Sequence, residues 1–249
     1  NSRALELAGI TRDTPDPEDG RIERDAEGHP TGTLHEGAMG LVNRLLPPES
    51  PARLREALAV GQRYLHSFGI TAWQDAIVGT SYGDAGDPLP AYLAAAAAGE
   101  LTGRVVGSLW WDRARGLEQI DDLVAKRDAG RVGRFAATSV KIMQDGVAEN
   151  FTASMLEPYC DGHGHPTDNS GISFVEPELL KEAAARLDAL GFTLHFHAIG
   201  DRAPSLYRKR RDGGLELASE PLDEHGWEPV ASGSMVIVTP DRRVTSEAL

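Results

Sequence analysis

Apolar positions along this chain recur in two periods, one helical and one strand-like, and the two take turns. From Pro51 to Ser67 the spacing is helical, with Leu54, Leu58, Gly61 and Leu65 on one side. Glu49-Ser50-Pro51 supplies its start signal, with proline at the first helical position. Gly69 to Asp75 then reads as a short strand. A loop rich in glycine and aspartate, Gly79 to Pro90, leads to a helix from Ala91 to Ala98 that Gly99 stops. Arg104 to Asp112 is the next strand, followed by a helix from Leu117 to Ala129 and a strand from Phe135 to Met143. Glu176 to Leu190 is a helix with Leu179, Leu180, Ala183, Leu187 and Leu190 on one face, and Phe192 to His197 closes the series. Strands alternating with helices predict βαβ units and a parallel sheet, either doubly wound or a barrel. Polar residues at strand ends (Asp75, Asp112, Asp145 and His197) favour the barrel, where the carboxyl ends of the strands carry the chemistry. No G-x-G-x-x-G turn or phosphate-binding loop supports the nucleotide alternative. A closed barrel needs eight strands. The rhythm here supplies about half of them, so the expected fold is α/β, a partial (β/α)8 TIM-type barrel.

Ahead of Pro51 the pattern is weaker. Leu5 and Ala8 share a short helical face that Gly9 ends, and Arg21 to His35 reads as a hairpin turning near Glu27-Gly28. His29, His35 and His66 read as exposed or capping residues. The net charge of −13 argues against non-specific nucleic-acid binding. No apolar run reaches the roughly 18 residues of a membrane span. The single cysteine, Cys160, leaves no internal disulfide and fits a cytoplasmic protein.

Candidate chemistry gathers in two stretches. In Thr193-Leu-His-Phe-His-Ala-Ile-Gly-Asp201, His195 and His197 are two apart on a strand and leave the same face. Two imidazoles so placed suit a divalent metal such as zinc; the plainer reading of the spacing alone is a pair held by hydrogen bonds in a core or against a loop. In Ser139-Val-Lys-Ile-Met-Gln-Asp-Gly146, an apolar strand carries Lys141 and ends on Asp145. A lysine is rarely fully buried without a partner. The long loop from Gly146 to Gly171 holds Tyr159, Cys160, His163 and His165. Its Cys-x-x-His-x-His lacks the second ligand pair of a structural zinc site and reads as a solvated or substrate-facing loop.

Taken together, Asn1 to Ile10, the Gly69-Ile-Thr strand, Val140-Lys-Ile with Asp145-Gly146, Thr152-Ala153, Tyr159 and His197-Ala-Ile-Gly-Asp-Arg-Ala203 resemble the amidohydrolase superfamily. The nearest branch is the family 3 group, which includes N-substituted formamide deformylases. The resemblance implies a (β/α)8 barrel that hydrolyses a small-molecule amide at one or two divalent metals, often zinc. It covers about strands 2 to 5. Lys141 falls at the fourth-strand lysine, N-carboxylated in the family to bridge two metals, and His197 at the fifth-strand metal histidine. His195 matches a variable position and Asp145 is a candidate for orienting a ligand, while Asp75, Trp111 and Tyr159 are candidates for substrate binding. The family's first-strand His-x-His, sixth-strand histidine and eighth-strand aspartate have no match here. From Pro204 the sequence leaves the family pattern, so the expected organisation is a partial barrel over 1–203 and a divergent tail over 204–249, frameshifted or partly disordered. Half a barrel leaves strand edges open, so the chain is expected either to associate, as a homo-oligomer, or to behave as a partly ordered species. Two other readings stay open: a barrel enzyme that uses Lys141 as a Schiff-base nucleophile, and a non-catalytic remnant of the fold.

Overall fold

The computed structural model describes residues 1–17, 19–47, 49–81 and 86–203, and beyond them the backbone of five strand segments. The chain forms two compact units, Asn1–Gln144 with Phe174–His197, and Asp145–Ser173 with Ala198–Leu249.

The first unit opens with helix α1 (Ser2–Ala8), capped by the Asn1 side chain and ended by Gly9 at φ 68°. Strands β1 (Gly20–Arg24) and β2 (Pro30–Glu36) pair antiparallel. Asp25 holds their turn by accepting the N–H groups of Glu27 and His29. With the short helix α2 (Gly40–Asn43) they enclose a small core of Ile10, Ile22 and Ala38.

The βα series follows. Helix α3 (Pro51–Ser67) starts where its signal predicts, the Ser50 side chain accepting the Arg53 N–H at 3.2 Å. Strand β3 (Ala72–Val78), helix α4 (Leu89–Ala97), strand β4 (Arg104–Trp110) and helix α5 (Ile120–Ala129) come next. A two-residue strand, β5 (Arg131–Val132), precedes β6 (Phe135–Met143); helix α6 (Pro177–Ala189) and strand β7 (Thr193–His197) complete the unit. The strand expected over Gly69 to Asp75 begins three residues late. Gly69 at φ 77° and Ile70 still donate their N–H groups to His66 and Leu65, so these residues finish α3 instead of joining the sheet.

Strands β3, β4, β6 and β7 lie side by side and parallel, in chain order, with β5 added antiparallel to β6. A doubly wound sheet reverses its order at a switch point. This one does not reverse, which makes it a wedge of a barrel. One sheet face carries Val105, Leu109, Val140 and Ile142, which share a core with Leu123, Leu187 and Phe192 from the helices and their connections. The other face is polar: Gln74 Nε2 donates to Ser108 Oγ at 2.6 Å and to Ser139 Oγ at 3.4 Å.

In the second unit the loop 145–173 is tied by bridges Asp145 to Ser173 and Cys160 to Pro166. Backbone strands β8 (Tyr207–Arg211), β9 (Gly214–Ala218) and β10 (Trp227–Pro229) form one antiparallel sheet, and β11 (Ser234–Val238) and β12 (Val244–Ala248) another. The strand-like run at Ser234 to Thr239 corresponds to β11. The remaining readings of the tail, on Pro204, Gly213 and the side chains from Arg208 to Arg211, fall outside the described residues.

Candidate active site

The polar sheet face positions the candidate chemistry. In the parallel pairing of β6 with β7, Lys141 lies opposite His195 and Met143 opposite His197. Residues two apart on a strand share a face, and register partners share it across strands. Lys141, Met143, His195 and His197 therefore leave the sheet together, while the intervening Val140, Ile142, Leu194 and Phe196 pack into the core. The apolar alternation of the two strands thus turns the lysine and both histidines toward the barrel interior. Across β4, Trp110 is the register partner of Lys141.

Lys141 is buried, with 7% of its surface exposed. Among the described residues no hydrogen bond or ion pair reaches its side chain, and burial holds its pKa below the ordinary lysine value. The His195 Nδ1 is buried and has no hydrogen-bond partner among the described residues. Burial first, then the charges of Lys141 and His197, hold the His195 pKa below the usual imidazole value. Both shifts favour the forms with a free lone pair, a neutral imidazole and a neutral amine. The first is a metal ligand. The second is the form of lysine that reacts with carbon dioxide. Among the described residues no three His, Cys, Asp or Glu side chains gather as a metal-holding group, so the donor set here is two histidines and a lysine.

The other expected residues are placed as follows. Asp75 turns toward α4, where its Oδ2 accepts the Tyr92 hydroxyl at 2.9 Å and its Oδ1 the Ile77 N–H at 3.1 Å. Tyr92 also accepts the Trp73 indole N–H, and burial pushes its phenol pKa up. Asp75 thus belongs to the helix-facing layer, away from the face that bears Lys141. Trp111 is 2% exposed and borders a cavity of about 560 Å³ at the carboxyl ends of β4 and β6. In the second unit, Tyr159 donates its hydroxyl to the Ala153 carbonyl at 2.8 Å. Asp145, fully buried there, accepts backbone N–H groups with both oxygens.

The cavity wall includes residues that the sequence reading did not single out. Trp110, Met143 and Phe174 give it apolar lining, and Met39 and Glu36 also border it. Arg113 lies 4.2 Å above the Phe174 ring and pairs with Asp19. The doubled tryptophan at the end of β4 was a local signal. Nothing local links Asp19 or Glu36 to Phe174, more than a hundred positions away. Another cavity, of about 820 Å³, lies at the amino ends of the same strands, opposite to where barrel enzymes work.

The sequence profile of the amidohydrolase family matches residues 1–225. The chain belongs to the amidohydrolase family. Among curated relatives, YtcJ of Bacillus subtilis (strain 168), an amidohydrolase by name, is 34% identical over 203 residues, covering 82% of this chain and 36% of that protein. The N-substituted formamide deformylase of Arthrobacter pascens is 28% identical over 212 residues, again 82% of this chain and 36% of its own length. A crystal structure of an uncharacterized metal-dependent hydrolase from Pyrococcus furiosus superposes with a TM-score of 0.53 at 22% identity, over 81% of this chain and 38% of that one. At that identity the likeness speaks for the fold, and it agrees with a partial amidohydrolase barrel. The chain spans little more than a third of the length of these relatives. Among the described residues no helix is long and apolar enough to cross a membrane.

Proposed function

We propose that this chain carries the middle-strand portion of a metal-dependent amidohydrolase site that cleaves a carbon–nitrogen bond of the amide or formamide type. The observation that carries the reading is the shared face of β6 and β7. It brings a buried lysine and two imidazoles together at the inner side of a barrel wedge. Family membership and the names of the relatives support the reaction class.

His197, His195 and Lys141 are the residues that would hold the metal. The His195 Nδ1, without a hydrogen-bond partner among the described residues, fits a donor awaiting an electron-pair acceptor. Carboxylation would turn the Lys141 amine into an oxygen ligand. One catalytic zinc takes three protein ligands, the number these side chains reach if the lysine is carboxylated. A divalent ion held there, zinc by preference, would supply a water acidified to a pKa near 7 and a Lewis acid for the substrate carbonyl. The chain's own residues do the remainder. The apolar walls of Trp110, Met143 and Phe174 receive the substituent of a small amide and exclude water from the carbonyl. Arg113, held by Asp19, fixes the Phe174 wall.

The proposal includes a cytoplasmic location, supported by the lone cysteine, and self-association. For association the support is that β3 pairs only with β4 and β7 only with β6 among the described residues, and that Val60, Tyr64 and Phe68 stand exposed along α3.

The test is hydrolysis. The chain, supplied with zinc and bicarbonate, is offered N-substituted formamides, and the released amine is measured. Turnover that His197→Ala and Lys141→Met both abolish supports the reading. Turnover unchanged in both variants refutes it. Labelling of Lys141 by borohydride with a carbonyl compound, in place of hydrolysis, moves the assignment to a Schiff-base lysine.

A further inference from the structure

The backbone that leaves β7 is gripped by the Asp145 carboxylate. The Gln144 N–H at the end of β6 donates to the His197 carbonyl at 2.9 Å, the last bond of the β6–β7 ladder. The chain then continues from Gln144 into Asp145 and from His197 into Ala198. Asp145 Oδ1 accepts the Ile199 N–H at 2.9 Å, and Oδ2 accepts the N–H groups of Gly200 at 2.7 Å and Ser154 at 3.0 Å. Asp145 is fully buried, and no cation pairs with it among the described residues. Two consecutive backbone N–H groups, Ile199 and Gly200, thus close on the two oxygens of one carboxylate.

The surrounding residues are shaped for this. A Cβ on Gly200 would lie 1.9 Å from the Ser154 carbonyl oxygen, so only glycine allows the turn this close to that segment. Arg202 donates its N–H to the same Ser154 carbonyl at 3.0 Å, and the Leu156 N–H is taken by Asp201 at 2.7 Å. Ala153 and Ser154 are buried where these bonds converge. Three donors need an acceptor-only group. An asparagine would turn its own N–H₂ against one of them.

We propose that Asp145 is a positioning residue. By gripping the N–H groups of Ile199, Gly200 and Ser154, its carboxylate sets the path of the chain leaving His197, and through it the aim of that imidazole. This deepens the metal-site reading above and rests on it for its functional meaning. It gives Asp145 a backbone-holding role in place of ligand contact or proton transfer, three of its acceptor sites being taken by N–H groups.

The test uses the whole chain with isotope-labelled histidine and the variants Asp145→Asn, Asp145→Glu and, from the opposite side of the same contact, Gly200→Ala. Two quantities are read: the ring resonances of His197 in metal-free protein, and the affinity for cobalt(II). Asp145→Asn is expected to shift or broaden the His197 ring signals while those of His35 and His66 stay in place, and to weaken cobalt binding about 10- to 100-fold. Asp145→Glu, which keeps the charge, falls between wild type and Asp145→Asn, and Gly200→Ala reproduces the His197 shift. If Asp145→Asn lowers only the unfolding midpoint, leaving His197 signals and cobalt affinity native, the role is structural and the proposal is overturned. If wild type binds no cobalt, the metal reading fails by itself, and the His197 signals alone decide the positioning role: moved by the variants, it stands; unmoved, it falls.

Discussion

Replacing Lys141 by methionine should make the metal-free protein more stable and less capable. The lysine is 7% exposed, and among the described residues nothing pairs with its side chain. A buried polar group without a hydrogen bond costs about 1–3 kcal/mol, and a charged one more. Methionine is unbranched and of similar length, and volume-conserving swaps of this kind cost under about 1.5 kcal/mol. The balance is a gain of about 1–2 kcal/mol at pH 7, or roughly 2–8 °C in Tm for a chain of this size. The sign of the pH dependence follows from the depressed lysine pKa. Well below the folded-state pKa the lysine is charged in both states and its burial cost is felt in full. As pH rises through the folded-state value toward the unfolded one, near 10.4, the unfolded chain binds the extra proton. Wild-type stability therefore climbs relative to Lys141→Met, and the gap closes. Urea titrations of both proteins at pH 7 and 9.5, without added metal or bicarbonate, measure the gap. A variant less stable than wild type at pH 7 would refute the reasoning, because the lysine would then be satisfied in the native state. Bicarbonate should narrow the gap as well, by converting the amine to a carbamate.

Other predictions follow from single features of the structure. Phe135 is 2% exposed and stacks on Tyr92 at 4.9 Å, so Phe135→Ala should cost about 3–5 kcal/mol in a denaturant titration; a cost below about 1 would show that this core is not packed as described. The His195 pKa is held below the ordinary 6.5, so the stability tied to this group is complete above about pH 6.5 and drains away on acidification toward the folded-state value. His195→Gln should accordingly flatten the fall in the urea midpoint between pH 7.5 and 5.5, and an unchanged slope would argue that this imidazole is solvated. Gly200→Ala should destabilise by more than Gly191→Ala, since the first Cβ meets the Ser154 carbonyl and the second, at φ 80°, meets nothing within 4 Å. Equal costs would count against the close approach at Gly200.

What could be read from the sequence was local, and what was missed was not. The periodicity from Pro51 to Ser67 with a serine ahead of it located α3 to the residue, because cap and hydrophobic stripe agree there. Phe135 to Met143 was equally clear: a long apolar strand between glycines and a loop has one reading. The shared face of Lys141, His195 and His197 needed two facts. The two-residue spacing of the histidines was visible, but the register that sets Lys141 opposite His195 is a property of the pairing. Asp75 shows the limit. Its place at a strand end suggested the active face, yet it points to Tyr92 on the same side as Trp73, while its neighbour Gln74 takes the face of Ser108 and Ser139. A position at a strand end does not decide the face; the alternation with its neighbours does. Strand β5, two residues long, leaves no periodic signal at all. The cavity wall joins Asp19, Arg113 and Phe174, and contacts over such separations are set by tertiary packing.

The most direct test of the central claim is a cobalt(II) titration of the whole chain in bicarbonate buffer, followed by visible absorption. The account predicts saturable binding with a ligand-field spectrum that His197→Ala and Lys141→Met each abolish or weaken by at least tenfold, while His66→Ala leaves it unchanged. No binding at micromolar metal, or the same spectrum and affinity in all three variants, would contradict it.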